Sequence, residues 1–181
     1  MRNARVFENV VIRPPRAGDG SALLAFDASA QDDEPLQGLD SETSLPTLAE
    51  KERWLQEVME HPDCFTLVVE QAGNIVGLLE SRVRELPRSN AHVLRFYVSL
   101  SAPVRRRGIG SELLARMIEW AHAQERIKKI SLGVLSTNTP AISLYQRLGF
   151  VEEGRKKMEY HLPDGSFADE ISMALFLRRK L

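Results

Sequence analysis

Residues 92–120 read HVLRFYVSLSAPVRRRGIGSELLARMIEW, and the fold turns on how this stretch is parsed. Its first part is an apolar, β-rich run, and its last part places Leu113, Leu114, Met117 and Ile118, with Ala121 just beyond, at helical spacing. Between them lies Arg105-Arg106-Arg107-Gly108-Ile109-Gly110. A strand that hands over to a helix through such a turn leaves the first backbone N–H groups of the helix unpaired, and donors of this kind bind phosphate. Gly108 and Gly110 carry no Cβ, so a pyrophosphate can approach the main chain, and the arginines add charge in a geometry suited to phosphate. The same residues could simply form a solvated basic turn that starts a helix, so the wider sequence has to decide.

Two other glycine loops are excluded. A P-loop requires Lys followed by Ser or Thr after its last glycine, and a dinucleotide-binding fingerprint requires a third glycine where Leu113 stands. The Arg105-x-x-Gly108-x-Gly110 spacing instead resembles the Arg/Gln-x-x-Gly-x-Gly/Ala motif of the GCN5-related N-acetyltransferase (GNAT) family. Downstream, residues 136–150, STNTPAISLYQRLGF, resemble that family's N-x-x-A-x-x-x-Y-x-x-x-G-F signature, with Asn138, Ala141, Tyr145, Gly149 and Phe150 at the defining positions. The resemblance implies one α/β (α+β) acetyltransferase domain over residues 1–181. Its mixed central sheet would have about seven strands and about four flanking helices, with two central parallel strands splayed at their ends.

Composition fits this. A chain of 181 residues with 43% hydrophobic and 27% charged side chains can bury a full core. A net charge of −1 gives no reason to expect a nucleic-acid partner. No apolar run reaches the roughly 18 residues of a membrane span, and MRNARVFENVV lacks the apolar core of a signal peptide, so no membrane partner is expected and the expected location is cytoplasmic. The single cysteine, Cys64, has no internal disulfide partner and reads as a small buried hydrophobe.

The element order expected from pattern is β-α-α-β-β-β-α-β-α-β-β. Residues 6–13 form a strand closed by Pro14-Pro15, and Asp19 caps a short helix through about Ala30. The segment 27–50 holds seven acidic residues with no Lys or Arg and is interrupted by Pro35, Gly38 and Pro46, which reads as a long loop. Thr47-x-x-Glu50 has capping-box spacing and opens a helix to about His61. Strands at 64–71 and 75–84 meet across Ala72-Gly73-Asn74, and a third follows at 92–100. The helix then runs to about Gln124, with a strand at 129–135 that a right-handed crossover makes parallel to the strand at 92–100. A helix at 140–148 has Pro140 in its first turn and Gly149 beyond its end, and a closing hairpin joins 150–161 to 167–177 across Pro163-Asp164-Gly165.

The resemblance also implies acetyl-CoA as cosubstrate. Its pyrophosphate would rest on Arg105, Arg106, Arg107, Gly108, Ile109, Gly110 and Ser111, while Val98, Ser99 and Leu100 would line the thioester arm. Pro103 stands one position later than usual in the family, leaving the register of those strand contacts open by one residue. Asn138 and Ala141 would contact the cofactor, although Asn138 also suits the cap of the following helix.

Acetyl transfer to an amine needs the neutral base, yet a lysine-like amine of pKa ~10.4 is only about one part in a thousand neutral at pH 7. The departing thiolate, parent pKa about 8.5, gains from a proton donor. Tyr145 matches the family's position for that acid, while helical spacing with Ala141 and Leu148 equally suits core packing. Glu80 is the first candidate for the base and Glu70 the second. No His-x-x-x-His or Ser-His-Asp set is legible, so no metal is expected and transfer is expected to be direct.

The ending, with Phe150-Val151-Glu152-Glu153-Gly154-Arg155, Asp164-Gly165 and Asp169-Glu170, resembles the branch that contains ribosomal-protein N-terminal and small-amine acetyltransferases. The expected acceptor is a primary amine, on a small molecule, a protein N-terminus or a lysine. The acidic segment 27–50 would favour a cationic one. A non-catalytic acyl-CoA sensor or interaction module is the alternative, and a homodimer through the terminal strands is conceivable.

Overall fold

The computed structural model describes residues 7, 9–33, 45–83 and 90–177. Seven strands and four α-helices follow one another as β1 (Val11–Arg13), α1 (Gly20–Asp33), α2 (Leu48–Glu60), β2 (Cys64–Gln71), β3 (Asn74–Val83), β4 (Val93–Leu100), α3 (Ile109–Ala123), β5 (Lys129–Leu135), α4 (Thr139–Arg147), β6 (Val151–His161) and β7 (Phe167–Phe176). The strands form one mixed sheet in the order β1-β2-β3-β4-β5-β7-β6. The order of elements and the α/β class are those expected from the sequence.

The chain divides into two compact units. The first holds the described residues up to Ser81 together with Tyr97–Met117, and the second holds those of Arg82–Phe96 and Ile118–Leu181. In the first, Leu23 and Phe26 of α1 and Leu55 of α2 pack with Val68, Ile75 and Leu78 of the β2–β3 hairpin, with Trp54 partly buried against them. Full burial of each such side chain contributes about 1.5–3 kcal/mol, which is what holds two marginal helices on the sheet. The hairpin turns through Ala72 and Gly73, both at positive φ. Thr47 and Glu50 make the reciprocal capping box at the start of α2.

Four expectations in this unit are corrected. The first strand is shorter than residues 6–13, because Asn9 turns the chain at φ 58° and regular pairing with β2 begins only at Val11↔Glu70. Helix α1 runs to Asp33 and not to Ala30, so the acidic segment opens as helix before any loop. The carboxylate of Asp19 does not cap α1: it accepts from the Arg13 guanidinium at 2.7 and 2.9 Å and from the Arg16 N–H at 2.8 Å. That bond to Arg13 lowers the Asp19 pKa below its usual value. Cys64 is half-buried and unbridged, less enclosed than a core position.

In the second unit β4 and β5 are parallel, with register pairs Val93↔Lys129, Leu94↔Ile130 and Arg95↔Ser131. β5 then pairs with β7 over its whole length, Lys129↔Phe176 to Leu135↔Glu170. The terminal hairpin closes as expected at Pro163-Asp164-Gly165: the Leu162 N–H donates to Ser166 O, and Gly165 takes φ 85°. β6 is irregular, with register steps between Glu152 and Gly154 and between Lys156 and Tyr160.

Helix α4 ends in a Schellman motif. The Phe150 N–H donates to Tyr145 O and the Gly149 N–H to Gln146 O, both at 3.0 Å, with Gly149 at φ 92°. The Gly-Phe pair of the signature is therefore a helix stop that fixes Phe150 against the turn carrying Tyr145. An alanine at 149 would be forced into the left-handed region, which costs about 1–2 kcal/mol. Gly149→Ala should lower the midpoint of thermal unfolding accordingly, and an unchanged midpoint in calorimetry would contradict this account of the motif.

Candidate active site

At the end of β4 the chain makes a single 3-10 turn, Ala102–Val104, with Pro103 inside it. Val104 and Ile109 are each only 1% exposed, so the intervening Arg105 to Gly108 is anchored at both ends by buried side chains. Arg105 Nε donates to the carbonyl of Leu100 at 2.7 Å and ties the turn back to the strand. Arg106 sits at φ 60° and Gly108 at φ 88°, and Arg106 and Arg107 are exposed. The Glu112 N–H is bonded to Gly108 O at 3.1 Å, as the helix ladder requires. The N–H groups of Ile109, Gly110 and Ser111 precede that ladder, so they are the donors a helix start leaves for a ligand.

On β4, Val98 and Leu100 are half-buried and Ser99 is 3% exposed. The Ser99 hydroxyl is buried without a hydrogen-bond partner among the described residues. A buried polar atom left unpaired is costly and marks a place where a ligand or water completes the bonding. Leu100 lies over Gly77 of β3: a Cβ at position 77 would come within 2.5 Å of Leu100 Cδ2. The glycine is what lets the end of β4 sit where it does.

Glu80 of β3, half-buried, accepts a hydrogen bond from Trp54 Nε1 of α2 at 3.3 Å. The aromatic character of Trp54 was legible in the sequence, but its bond to Glu80 was not. Glu70, the second candidate for the base, is taken up by Arg13 Nε at 2.6 Å and serves an ion pair. Within the acidic segment, Asp27 pairs with Lys51 Nζ at 2.5 Å, one residue past the stretch that lacked basic residues, and Glu50 is spent on the Thr47 cap. The side chains of Asp32 and Asp33 and the whole of Glu34, Asp40 and Glu42 lie outside the described residues.

The other candidates stand on α4, in the second unit. Asn138 caps the helix, its Oδ1 accepting from the Ala141 N–H at 3.2 Å, and Ala141 is half-buried behind it. Tyr145 is 7% exposed. Its ring meets Phe96 of β4 edge-on at 5.9 Å and Phe150 at 5.8 Å, while Phe96 and Phe150 are 6.0 Å apart. Such a triad fixes ring orientation as well as burying area. Phe96 was not picked out from the sequence; its only signal was an aromatic two residues before the Val98 to Leu100 contacts. Among the described residues no group of three or more His, Cys, Asp or Glu is placed to hold a metal ion, and no helix is long and apolar enough to cross a membrane.

Residues 29–150 match the acetyltransferase (GNAT) family. The chain belongs to this family. As a GNAT member it is an acyltransferase of the N-acetyltransferase type, in a family that uses acetyl-CoA. It is similar to the L-amino acid N-acetyltransferase AaaT of Escherichia coli, with 34% identity over 67% of this chain and 74% of that protein. Among solved GNAT structures it is similar to an acetyltransferase of Streptococcus pneumoniae, with TM-score 0.84, 28% identity and coverage of 92% and 99% of the two chains. It is also similar to the ribosomal-protein-alanine N-acetyltransferase of Brucella melitensis, with TM-score 0.77, 27% identity and coverage of 92% and 99%.

Proposed function

We propose that the chain moves an acetyl group from acetyl-CoA directly to a primary amine, and that the first class of acceptor to consider is an α-amine. The observation that carries this is the turn from Arg105 to Ser111: its donors precede the helix ladder, Gly108 holds φ 88°, and the buried Ser99 hydroxyl on the preceding strand has no partner among the described residues. These features suit a pyrophosphate and an amide-bearing arm.

Acetyl-CoA would supply the activated thioester. The N–H groups of Ile109, Gly110 and Ser111 would hold the pyrophosphate, with Arg106 and Arg107 contributing charge. Arg105 would act mainly by shaping the turn, since its Nε is bonded to Leu100 O. Val98, Ser99 and Leu100 would offer main-chain groups to the thioester arm, and a backbone N–H of this strand would stabilise the developing oxyanion. Glu80, held by Trp54, would accept the proton from the amine directly or through water. Tyr145 would return a proton to the departing sulfur. Asn138 and Ala141 would frame that end through the helix cap.

The acceptor reading draws on two relatives whose names specify an L-amino acid and a ribosomal-protein alanine. Both carry an α-amine, and a peptide α-amine of pKa about 7.7–8.0 is far more often neutral at pH 7 than a lysine side chain, which lightens the work asked of a base. A cationic acceptor would need the acidic groups at 32–34, 40 and 42 to be available to it.

The test is acceptor-dependent release of CoA thiol by the purified chain, measured over L-amino acids, an alanyl peptide, a lysyl peptide and a polyamine. Release with an α-amine, and weaker release with the lysyl peptide, is the expected result. Tight CoA binding with no release for any acceptor would turn the assignment toward an acyl-CoA sensor. Release with the polyamine alone would replace the α-amine by a cationic acceptor.

A further inference from the structure

One face of the sheet in the second unit carries a cleft of about 420 Å³, within the size range of small-molecule sites. Arg95 of β4, Ser131 of β5 and Ser172 of β7 line it. Their register puts them on the same face: Arg95 stands beside Ser131, Ser131 beside Ala174, and Ser172 lies two residues from Ala174 on β7. The β4–β5 ladder ends at the pair Arg95 and Ser131, although β4 continues to Leu100 and β5 to Leu135.

The charges of the cleft are matched in pairs except for one. Lys129 bonds Glu153 at 2.7 Å, and Lys156 bonds Glu170 at 2.5 Å. Arg95 is exposed and, like the half-buried Ser131 and Ser172, makes no side-chain hydrogen bond or ion pair among the described residues. The cleft therefore keeps one uncompensated positive charge and two hydroxyl donors. A guanidinium takes a carboxylate in a bidentate fork, and hydroxyls can satisfy its remaining lone pairs. The Glu170 side chain covers Gly133, its Oε1 2.5 Å from where a Cβ would stand, and so borders the same floor. With that acid and Glu153 alongside, Arg95 matches a single negative charge, whereas a doubly charged phosphate would meet repulsion that nothing else in the lining offsets.

We propose, building on the α-amine reading above, that this cleft seats a carboxylate of the acceptor, held by Arg95 with Ser131 and Ser172. The acceptor is then an α-amine that also carries a carboxylate, either the α-carboxylate of a free amino acid or an acidic side chain next to a peptide's N-terminus. β4 runs on from Arg95 into Val98–Leu100, the stretch proposed for the thioester arm, so one strand would serve both substrates.

The experiment compares two pairs of acceptors that differ in charge: L-alanine with L-alaninamide, and an Ala-Asp peptide amide with its Ala-Asn counterpart. Thiol release is expressed per unprotonated amine. In at least one pair the carboxylate member should have a kcat/KM about 10-fold or more above its partner, the usual scale for a bond to a charged group. Arg95→Gln should abolish that advantage through KM, and Arg95→Lys should restore part of it. CoA affinity and the unfolding midpoint of both variants should stay at wild type, because Arg95 has no partner in the described fold to lose. The pair that shows the preference identifies the source of the carboxylate. A second readout needs no turnover: the N-acetylated forms of the four acceptors are titrated into isotope-labelled chain. Only the carboxylate forms should shift the backbone amide resonances of Arg95, Ser131 and Ser172, and Arg95→Gln should remove the shifts. Release with α-amines but no carboxylate preference in either pair would overturn the assignment of the cleft and leave the α-amine reading standing. A preference that survives Arg95→Gln, or shifts confined to other residues, would overturn it equally. Localised binding of the carboxylate forms, with no release from any α-amine, would support the cleft and strike the α-amine reading instead.

Discussion

Replacing Tyr145 by phenylalanine should reduce kcat by about 10²- to 10⁴-fold, the usual contribution of a positioned general acid. In barrier terms that is about 2.7–5.5 kcal/mol. The change removes one oxygen and leaves the ring between Phe96 and Phe150, whose edge-on and tilted contacts at 5.9 and 5.8 Å do not depend on it. CoA affinity and the unfolding midpoint should therefore stay close to wild type, which separates loss of the proton donor from loss of packing. Tyr145→Ala is the control, since emptying an aromatic site in a core costs about 3–5 kcal/mol of stability. If the phenylalanine variant turns over at the wild-type rate, Tyr145 is a packing residue and the departing sulfur takes its proton from elsewhere.

The second large effect concerns the glycine turn. Gly108→Val forces a β-branched residue to φ 88° and places a side chain where the proposed pyrophosphate would meet the main chain. CoA binding in calorimetry should weaken by about 10- to 100-fold, or about 1.4–2.8 kcal/mol. Because the same substitution strains the backbone, Gly110→Ala is the cleaner probe. Gly110 lies in the first turn of α3, where alanine is the better helix former by about 0.5–1 kcal/mol. This variant should keep or gain thermal stability while losing affinity. Wild-type affinity in both variants would show that the ligand does not approach the turn backbone.

Much of this architecture could be read from the amino acids, for reasons that differ from element to element. β5 runs Lys129–Leu135 as expected, because a run of β-branched and apolar residues is bounded on both sides by polar breakers. α2 was legible from its reciprocal cap and α4 from Pro140 and Gly149, which are local signals with local causes. What escaped was decided by contacts and conformations that the local pattern does not announce. Asp19 has the sequence position of a cap, but Arg13 claims its carboxylate. The acidic segment looked free of basic residues until Lys51 reached back to Asp27. The closing hairpin was expected, yet nothing local says that β7, the later strand, lies next to β5. Met158 at φ 52°, which breaks the regularity of β6, has no glycine to announce it.

The candidate site divides in the same way. Glycine spacing and the tyrosine signature locate the turn and the helix, and of their residues Gly108 and Gly149, both at positive φ, are required by backbone geometry. Roles set by a second side chain were not visible: the bond from Trp54 to Glu80, the ion pair between Arg13 and Glu70, and the ring of Phe96 against Tyr145.

The bond from Arg105 to the Leu100 carbonyl closes a small ring of six residues whose shape is set by that bond and by the buried Val104 and Ile109. A ring stapled by its own members is insulated from substitutions made elsewhere in the sequence. The guanidinium of Arg105 thus acts as a rivet of the turn, its Nε taken up by the strand carbonyl while Arg106 and Arg107 stay exposed.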